Sequence, residues 1–159
     1  YYYDKALEKG YNVLFGDIIE IDIKDKYDFI FLFDVLEHIP KNKILSYFQT
    51  FHEILNPNGK IFIRCPNGSS PFGLIYQNGD LTHETFLNEY SLEQICGITN
   101  FDFIECRNPK YLYNPYSFSF IIKIAIFTLR RFIELFIGLI FVGKKLSLDP
   151  NLIAILKKL

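Results

Sequence analysis

The sequence predicts an α/β domain with a parallel sheet at its centre. Residues 29–33 form an unbroken apolar run between polar residues, which is typical of a strand that is buried on both faces. A helical pattern and a second predicted strand, residues 60–65, follow it. Strand, helix and strand in this order form a crossover unit, so we expect two parallel strands with the helix on one face of the sheet.

The composition is that of a folded globular domain. The chain has 159 residues, of which 50% are hydrophobic, and its formal net charge is -1. This length allows one domain with a sizeable core, and the balanced charge predicts no basic surface for nucleic acid. The three cysteines, Cys65, Cys96 and Cys106, show no Cys-x-x-Cys spacing. Neither a disulfide framework nor a zinc site is therefore indicated, and we expect reduced thiols in the cytoplasm.

The residues before the first apolar run predict a helix and a short strand. Residues 1–9 have a helical pattern that ends at Gly10, since glycine most easily adopts the left-handed conformation after a last helical turn. Residues 12–15 are apolar and predict a strand that ends at Gly16 and Asp17. The chain has no methionine and begins inside the first helical pattern, so we expect a further segment upstream.

Further helices and strands complete the predicted sheet. Apolar residues at helical spacing after Pro40 predict a helix, which ends in an Asn-Pro-Asn-Gly turn at residues 56–59. A shorter helix is predicted over residues 91–98, with its first residue, a serine, as the N-cap. Residues 101–106 and 151–156 predict two more strands. The residues at helical spacing are Ile44, Leu45, Phe48, Phe51 and Leu55.

Residues 69–89 are rich in glycine and polar residues and predict a long loop. Loops of more than about 12–15 residues inside a compact domain are usually functional. We therefore expect this loop to act as a substrate lid.

Residues 118–142 are mostly apolar but carry a narrow polar stripe on a helical wheel, so they predict an amphipathic helix. A membrane-spanning helix is disfavoured, because a charged side chain at the centre of a bilayer costs roughly 2.5–3.5 kcal/mol. Two alternatives stay open. In the first, the helix lies in a membrane interface or packs on a hydrophobic partner. In the second, it is buried on the sheet and is broken at Gly138. The charged residues are Lys123, Arg130, Arg131 and Glu134.

Asp34, Glu37 and His38 follow the first apolar run directly. Ligands of parallel α/β sheets bind just beyond the carboxyl ends of the strands, so these are candidate site residues. His38 is the first candidate for a general base, because imidazole titrates near neutral pH; a structural histidine that bonds a backbone carbonyl is the alternative. His83, in the predicted lid, is a second candidate base, with a solvated loop histidine as its alternative.

Three motifs occur in an order that resembles the class I S-adenosylmethionine-dependent methyltransferases. They are Gly16-Asp17-Ile18, Asp34-Val35-Leu36-Glu37-His38-Ile39, and Leu55-Asn56-Pro57-Asn58-Gly59 with the strand after it. The sequence is most similar to bacterial small-molecule O-methyltransferases of ubiquinone and surface-glycan pathways. The resemblance covers residues 1–107, with 151–158 as the final strand. It implies a Rossmann-like sheet, S-adenosylmethionine as cofactor, and transfer to a hydroxyl of a small-molecule, sugar or lipid-linked acceptor.

The resemblance also implies roles for individual residues. Gly16, Asp17 and Ile18 would hold the adenine, with the Asp17 carboxylate accepting a hydrogen bond from the adenine amino group. Phe33 and Asp34 would line the cofactor pocket. The alternatives are a plain turn aspartate at Asp17 and a capping role for Asp34.

A metal site is not predicted. Asp34, Glu37 and His38 resemble a metal cluster of some ubiquinone-type members, but only hard ligands at helical spacing support it. Three tyrosines after the predicted sheet strands could stack on a ring of the acceptor or could be ordinary half-buried residues. These are Tyr111, Tyr113 and Tyr116.

The chain also departs from the family pattern. No Gly-x-Gly occurs in it, and by resemblance the glycine-rich cofactor loop and the first two strands of the sheet would lie upstream. We therefore expect residues 1–110 to be the C-terminal part of the methyltransferase domain, 111–150 an apolar helical extension and 151–159 the final strand. This chain alone should bind S-adenosylmethionine poorly. A non-catalytic remnant and a membrane-surface or partner-binding module are the alternative functions.

Overall fold

The computed structural model describes residues 2–110, 119–143 and 146–159. The strands of these residues form one four-stranded sheet. The elements in chain order are α1 (Tyr2–Glu8), β1 (Tyr27–Phe33), a 3-10 turn (Leu36–His38), α2 (Ile44–Ile54), β2 (Leu55–Pro66), α3 (Gly73–Gln77), α4 (Glu89–Thr99), β3 (Phe101–Arg107), α5 (Ser119–Phe141) and β4 (Asn151–Lys158).

The sheet has the order β1-β2-β4-β3. β1 and β2 are parallel, and β4 is antiparallel to both β2 and β3. The parallel crossover unit and the α/β class predicted from the sequence are therefore confirmed. β4 lies inside the sheet, and its alternate residues Ala154 and Leu156 are fully buried.

The hydrophobic core lies on one face of the sheet. Leu32 of β1 and Ile61 and Ile63 of β2 alternate along their strands and are buried together with Phe48 of α2 and Leu92 of α4. Side chains in a strand alternate between the two faces, so these residues share one face. The sheet is therefore covered by α2 and α4 on that side.

The opposite face of β1 is open. Phe29, Phe31 and Phe33 are 56%, 59% and 52% exposed, and the ring of Phe31 stacks on Phe62 of β2 with 5.0 Å between centroids. The prediction that β1 is buried on both faces is wrong for the part of the chain that the structure describes. The physical reason is that α2 and α4 both pack on the face that carries Leu32.

Residues 12–15 do not form the predicted strand. Leu14 and Phe15 are 57% and 84% exposed. A strand needs a neighbour to satisfy its backbone hydrogen-bonding groups, and none of the four described strands pairs with this segment. The helix before it ends as predicted, with a φ of 79° at Gly10.

The turn predicted at residues 56–59 is a bulge inside β2. Leu55 pairs with Tyr27, and the next pair in the register is Lys60 with Phe29, so the turn residues bulge away from β1. Asn58 has a φ of 65°, the left-handed conformation that the turn requires. β2 therefore begins at Leu55, before the predicted residue 60.

Helix α4 begins earlier than predicted. Its N-cap is Asn88, whose side chain accepts a hydrogen bond from the N–H of Ser91 at 2.9 Å, while the Ser91 hydroxyl accepts from the N–H of Asn88 at 2.8 Å. This reciprocal pair is a capping box. Asn88 thus has the role that the sequence predicted for Ser91.

Helix α5 confirms the predicted helix but not its break. The N–H of Val142 donates to the carbonyl of Gly138 at 3.0 Å, so the helical hydrogen bonds pass through the glycine; one glycine costs only about 1 kcal/mol in a helix. Burial on the sheet is also wrong, since most described side chains of α5 are exposed. Within residues 2–110, 119–143 and 146–159, no helix combines the length and the hydropathy that a transmembrane span requires.

Candidate active site

Asp34, the residue after β1, is held by Arg64 near the end of β2. The guanidinium donates from Nε to Asp34 Oδ1 at 3.0 Å and from Nη2 to Oδ2, and the N–H of Asp34 donates to the carbonyl of Arg64 at 2.9 Å. Asp34 has a φ of 55°, which is uncommon for a residue other than glycine. The following 3-10 turn has Val35 at its N-cap, without a side-chain hydrogen bond. Asp34 therefore pairs with Arg64 instead of capping that turn.

Glu37 lies in the 3-10 turn and is 1% exposed. Its backbone carbonyl accepts hydrogen bonds from the N–H groups of Glu84 at 2.8 Å and Thr85 at 3.1 Å, and the Thr85 hydroxyl donates to the carbonyl of Ile39. We call these three bonds the backbone clamp. The clamp brings the loop that carries His83 against the end of β1.

The side chain of Glu37 is buried with an unsatisfied atom. Within the described part of the chain, its Oε2 has no hydrogen-bond partner. Burial raises the pKa of Glu37, and the nearby charge of Asp34 raises it further. The folded protein therefore holds the proton of this carboxyl to a higher pH than the unfolded chain does.

His38 and His83 lie with their rings edge to face, 4.5 Å between centroids, and we call them the histidine pair. His38 Nδ1 lies 2.8 Å from Thr82 Oγ1, and that hydroxyl donates to Asp80 Oδ1 at 2.7 Å. Because the hydroxyl hydrogen points to Asp80, Thr82 Oγ1 accepts the N–H of His38 Nδ1. The hydrogen-bond network thus assigns the lone pair of neutral His38 to Nε2.

His83 has the same neutral tautomer as His38, but a different acceptor determines it. Its Nδ1 lies 3.1 Å from the carbonyl oxygen of Gln77. A carbonyl only accepts, so His83 Nδ1 carries the hydrogen and Nε2 carries the lone pair of the neutral ring. The pair therefore offers two imidazole nitrogens that can each accept a proton.

Asp17 lies near the first turn of α2, where Tyr47 hydrogen-bonds its carboxylate. This bond is the main cause that lowers the pKa of Asp17, and the N–H of Ile19, 3.3 Å from Asp17 Oδ1, contributes as well. Burial, followed by the same hydrogen bond, raises the pKa of Tyr47 to about 12. Next to Asp17, Ile18 packs against the hydrophobic core. An ionised carboxylate beside an apolar side chain suits a ligand with an amino donor on an aromatic ring.

One cavity in the described residues lies away from the histidine pair. Its volume is ≈ 610 Å³, and it is lined by Gly16 and Ile18 together with Tyr27, Phe29 and Ile30. These β1 residues belong to the N-terminal half of the strand. We place the candidate site at the carboxyl end, because ligands of such sheets bind there and because the titratable groups converge there.

Glu37, His38 and His83 could together hold a metal ion. One ligand atom from each lies within 4.8 Å of the others, whereas Asp34, the third residue of the cluster considered from the sequence, pairs with Arg64. The absence of a metal stays a prediction. The three tyrosines predicted to stack on an acceptor, Tyr111, Tyr113 and Tyr116, lie outside the described residues.

Substituting Glu37→Gln should change how stability depends on pH. Burial raises the folded-state pKa of Glu37 above its usual 4.5, so between 4.5 and the raised value the folded protein holds a proton that the unfolded chain has lost. The wild-type free energy of unfolding therefore falls as pH rises through this window. The free energy of unfolding of the variant should not fall in this window. As pH rises through the window, the variant should therefore gain roughly 1–3 kcal/mol of stability relative to wild type.

Urea unfolding between pH 4 and pH 8, followed by circular dichroism, measures this difference. Glu53→Gln, at an exposed position of α2, is the matched control. Parallel pH curves for wild type and Glu37→Gln would contradict the burial of an unsatisfied carboxyl at this position.

The comparisons with known proteins identify the family and the fold of the chain. A family described as a methyltransferase domain matches residues 7–106, which is more than half of the chain, and the chain belongs to this family. Solved S-adenosylmethionine-dependent methyltransferases have a similar fold. One from Archaeoglobus fulgidus matches with a TM-score of 0.64 and 20% identity over 98% of this chain and 71% of that chain. One from Clostridium acetobutylicum matches with a TM-score of 0.60 and 12% identity, and the match covers 98% of this chain and 68% of that chain.

A third similar structure is the N-methyltransferase NodS of Bradyrhizobium japonicum in complex with S-adenosyl-L-homocysteine. It has a TM-score of 0.51 and 11% identity over 90% of this chain and 52% of that chain. No curated protein matches the chain. The predicted methyltransferase class and Rossmann-like fold are confirmed, and the neighbours support S-adenosylmethionine as the cofactor. The ubiquinone or glycan branch stays a prediction.

Proposed function

We propose that the protein transfers a methyl group from S-adenosylmethionine to a hydroxyl of a small-molecule, sugar or lipid-linked acceptor. The observation that carries this proposal is the histidine pair beyond the carboxyl end of β1, where both Nε2 atoms have a free lone pair. A hydroxyl oxygen is a poor nucleophile until its proton leaves, so transfer to it needs a base at this position.

His38 is the proposed general base and His83 its neighbour or substitute. When bound, S-adenosylmethionine would supply an electrophilic methyl group to the acceptor oxygen, with S-adenosyl-L-homocysteine as the leaving group. His38 Nε2 takes the hydroxyl proton in that step. The resulting imidazolium still donates from Nδ1 to Thr82, whose hydroxyl donates to Asp80. This chain of hydrogen bonds orients the ring.

The described residues fit one end of the methyl donor. Asp17 has a lowered pKa and can accept a hydrogen bond from the adenine amino group, with Gly16 and Ile18 beside it. Phe33 and Asp34 would line the cofactor pocket where β1 ends. Asp34 is ordered for this by Arg64, whose guanidinium also lies 5.5 Å from the centre of the Phe33 ring.

Substituting Asp17→Ala should weaken the binding of S-adenosyl-L-homocysteine by roughly 10–100-fold, because a hydrogen bond to a charged group is worth about 1.5–3 kcal/mol. Isothermal titration calorimetry on the full-length protein measures this change and tests the proposed function. Asp22→Ala, whose side chain is 83% exposed, is the control. Absence of binding by the full-length wild type would overturn methyl transfer and favour a non-catalytic remnant, and an unchanged affinity in Asp17→Ala would remove Asp17 from the donor site.

A lipid-linked acceptor and peripheral membrane contact through residues 118–142 belong to the same proposal. The exposed apolar side chains of α5, such as Phe132 and Phe136 at 66% and 58%, favour them. An acceptor attached to a lipid would be available to a protein that rests on a membrane surface.

A further inference from the structure

A second cavity lies between helix α5 and the loop that precedes α3. Its volume is ≈ 300 Å³, and it is lined by Phe72, Arg130, Ile133, Glu134 and Leu148. This volume is at the lower limit of small-molecule pockets, which measure about 300–1,000 Å³. The cavity can therefore hold a single ring or a short chain of carbon atoms.

This cavity lies at the edge of the sheet that carries the histidine pair. Pro66, the last residue of β2, pairs with Asn151, the first residue of β4, so the segments after β2 and before β4 share the edge at which β1 and β2 end. Phe72 comes directly before α3, and the carbonyl of Gln77 at the other end of α3 accepts the N–H of His83 Nδ1 at 3.1 Å. Since α3 has five residues, it spans only about 8 Å between the cavity wall and the histidine pair.

Hydrogen bonds fix both walls of the cavity to the segment before β4. On one wall, the Ser70 hydroxyl donates to the carbonyl of Leu148 at 2.8 Å and accepts the N–H of Phe72 at 3.2 Å. On the other wall, Glu134 Oε1 accepts the N–H of Leu148 at 3.0 Å. The protein's own hydrogen bonds therefore set the shape of the cavity, which lowers the cost of ordering it around a ligand.

The charges beside the cavity balance one another. Arg130 and Arg131 both donate to the carboxylate of Asp149, Arg130 at 2.9 Å, and Arg131 also donates to Glu134 Oε2 at 2.5 Å. We call these four residues the Asp149 network. The side chains of Asp149 and Glu134 are 0% and 2% exposed. Two cations thus face two carboxylates, so the network offers no net charge to a ligand.

The lining favours an uncharged ligand that is mostly apolar. Phe72, Ile133 and Leu148 are the apolar residues of the lining, and both carboxylate oxygens of Glu134 already accept hydrogen bonds. The hydroxyl groups of a sugar would find few partners there, and burying them unpaired is unfavourable. The side chain of Arg130 is 42% exposed and bonds the network through one nitrogen, so its guanidinium can also donate to an oxygen atom of a ligand.

We propose that this cavity binds the apolar part of the methyl acceptor, an uncharged aromatic ring or short alkyl group, with the hydroxyl to be methylated directed toward the histidine pair. The inference rests on the proposed function and deepens it, because it selects an acceptor that carries an apolar ring or chain over one that is a sugar alone. The acceptor must also span the length of α3 to bring its hydroxyl to His38.

Nuclear magnetic resonance of the full-length protein with ¹³C-labelled leucine methyl groups tests this inference, with Leu148 as the reporter in the cavity wall. The probes are benzyl alcohol, cyclohexylmethanol and methyl glucoside, which are an aromatic, an alkyl and a sugar alcohol. Each probe is titrated into wild type, Ile133→Trp and Phe132→Trp. Ile133→Trp fills the cavity with a larger side chain. Phe132→Trp is the matched control, because it introduces the same side chain at the adjacent residue of α5, which is not among the lining residues.

Benzyl alcohol or cyclohexylmethanol should shift the Leu148 methyl signals along a saturable curve in wild type and Phe132→Trp. Ile133→Trp should weaken this binding by roughly tenfold or more, because a closely packed cavity cannot hold both the indole ring and the probe. The probe with the higher affinity shows whether the cavity prefers a ring or an alkyl group.

Three results would overturn the inference. They are Leu148 signals that no probe shifts along a saturable curve, equal affinities in wild type and Ile133→Trp, and methyl glucoside binding as tightly as the two apolar probes. Calorimetry with S-adenosyl-L-homocysteine tests the proposed function separately. Loss of probe binding with retained binding of S-adenosyl-L-homocysteine would therefore remove this inference alone.

Discussion

Replacing Asp149 by alanine should lower the free energy of unfolding by about 3–5 kcal/mol, the cost of removing one partner from a buried ion pair. The Asp149 side chain is fully buried and accepts hydrogen bonds from both Arg130 and Arg131. Arg131 is only 22% exposed, so its charge cannot simply return to water when Asp149 is lost. Urea unfolding followed by circular dichroism at neutral pH measures the change.

Two further substitutions separate charge from packing at this position. Asp149→Asn keeps the size of the side chain but removes its charge, and it should retain most of the destabilisation. Asp22→Ala removes the exposed ion pair with Lys24 and should cost at most about 1 kcal/mol. If Asp149→Ala were no more destabilising than Asp22→Ala, the network would not be what holds α5 to the domain.

Substituting His38→Ala should lower kcat for transfer to a hydroxyl acceptor by about 10²–10⁴-fold, which is the usual contribution of a positioned general base. The Km values should change much less, because the base acts on the proton as the bond to carbon forms. The measurement is the rate at which the full-length protein releases S-adenosyl-L-homocysteine, taken with an acceptor that the wild type methylates.

The other two histidines and Thr82 make this experiment specific. His83→Ala tests the second candidate base, and a larger loss there than in His38→Ala would transfer the role to His83. His52→Gln changes the histidine of α2, whose ring packs on Phe101, and should leave kcat unchanged. Thr82→Val removes the bond that orients His38 and should lower kcat by a smaller factor, with rescue by Thr82→Ser. Equal rates for wild type and both alanine variants would reject base catalysis by the histidine pair.

The crossover unit was predicted correctly because its partners lie nearby in the sequence. Strand β1, helix α2 and strand β2 form one crossover unit, and the spacing of Phe48 and Phe51 reports the buried side of the helix directly. Residues 12–15 have the same apolar character, but a strand also needs a paired neighbour, which composition does not encode. For α4, asparagine and serine both make good caps, so spacing alone could not choose between Asn88 and Ser91.

The candidate site was predicted only in part for a related reason. The position of His38 after an apolar run identified it as a candidate site residue. Its imidazole side chain suggested the role of a general base. Its partner Thr82 is 44 residues away and is brought to it by the backbone clamp, which no local pattern reports. Arg64 had one signal in the sequence, a basic residue at the end of a strand parallel to β1, and the pairing with Asp34 follows from the register of the two strands.

The backbone clamp couples two events, the opening of the loop at residues 80–85 and the loss of the contacts that orient His38. Any opening of residues 80–85 must break the bonds to the carbonyls of Glu37 and Ile39, and it also pulls Thr82 and His83 away from His38. Access to the site and the ability of His38 to accept a proton are then governed by a single equilibrium. As the proposed general base, His38 would then be fully oriented only while the loop is closed, when bulk water has the least access to the acceptor.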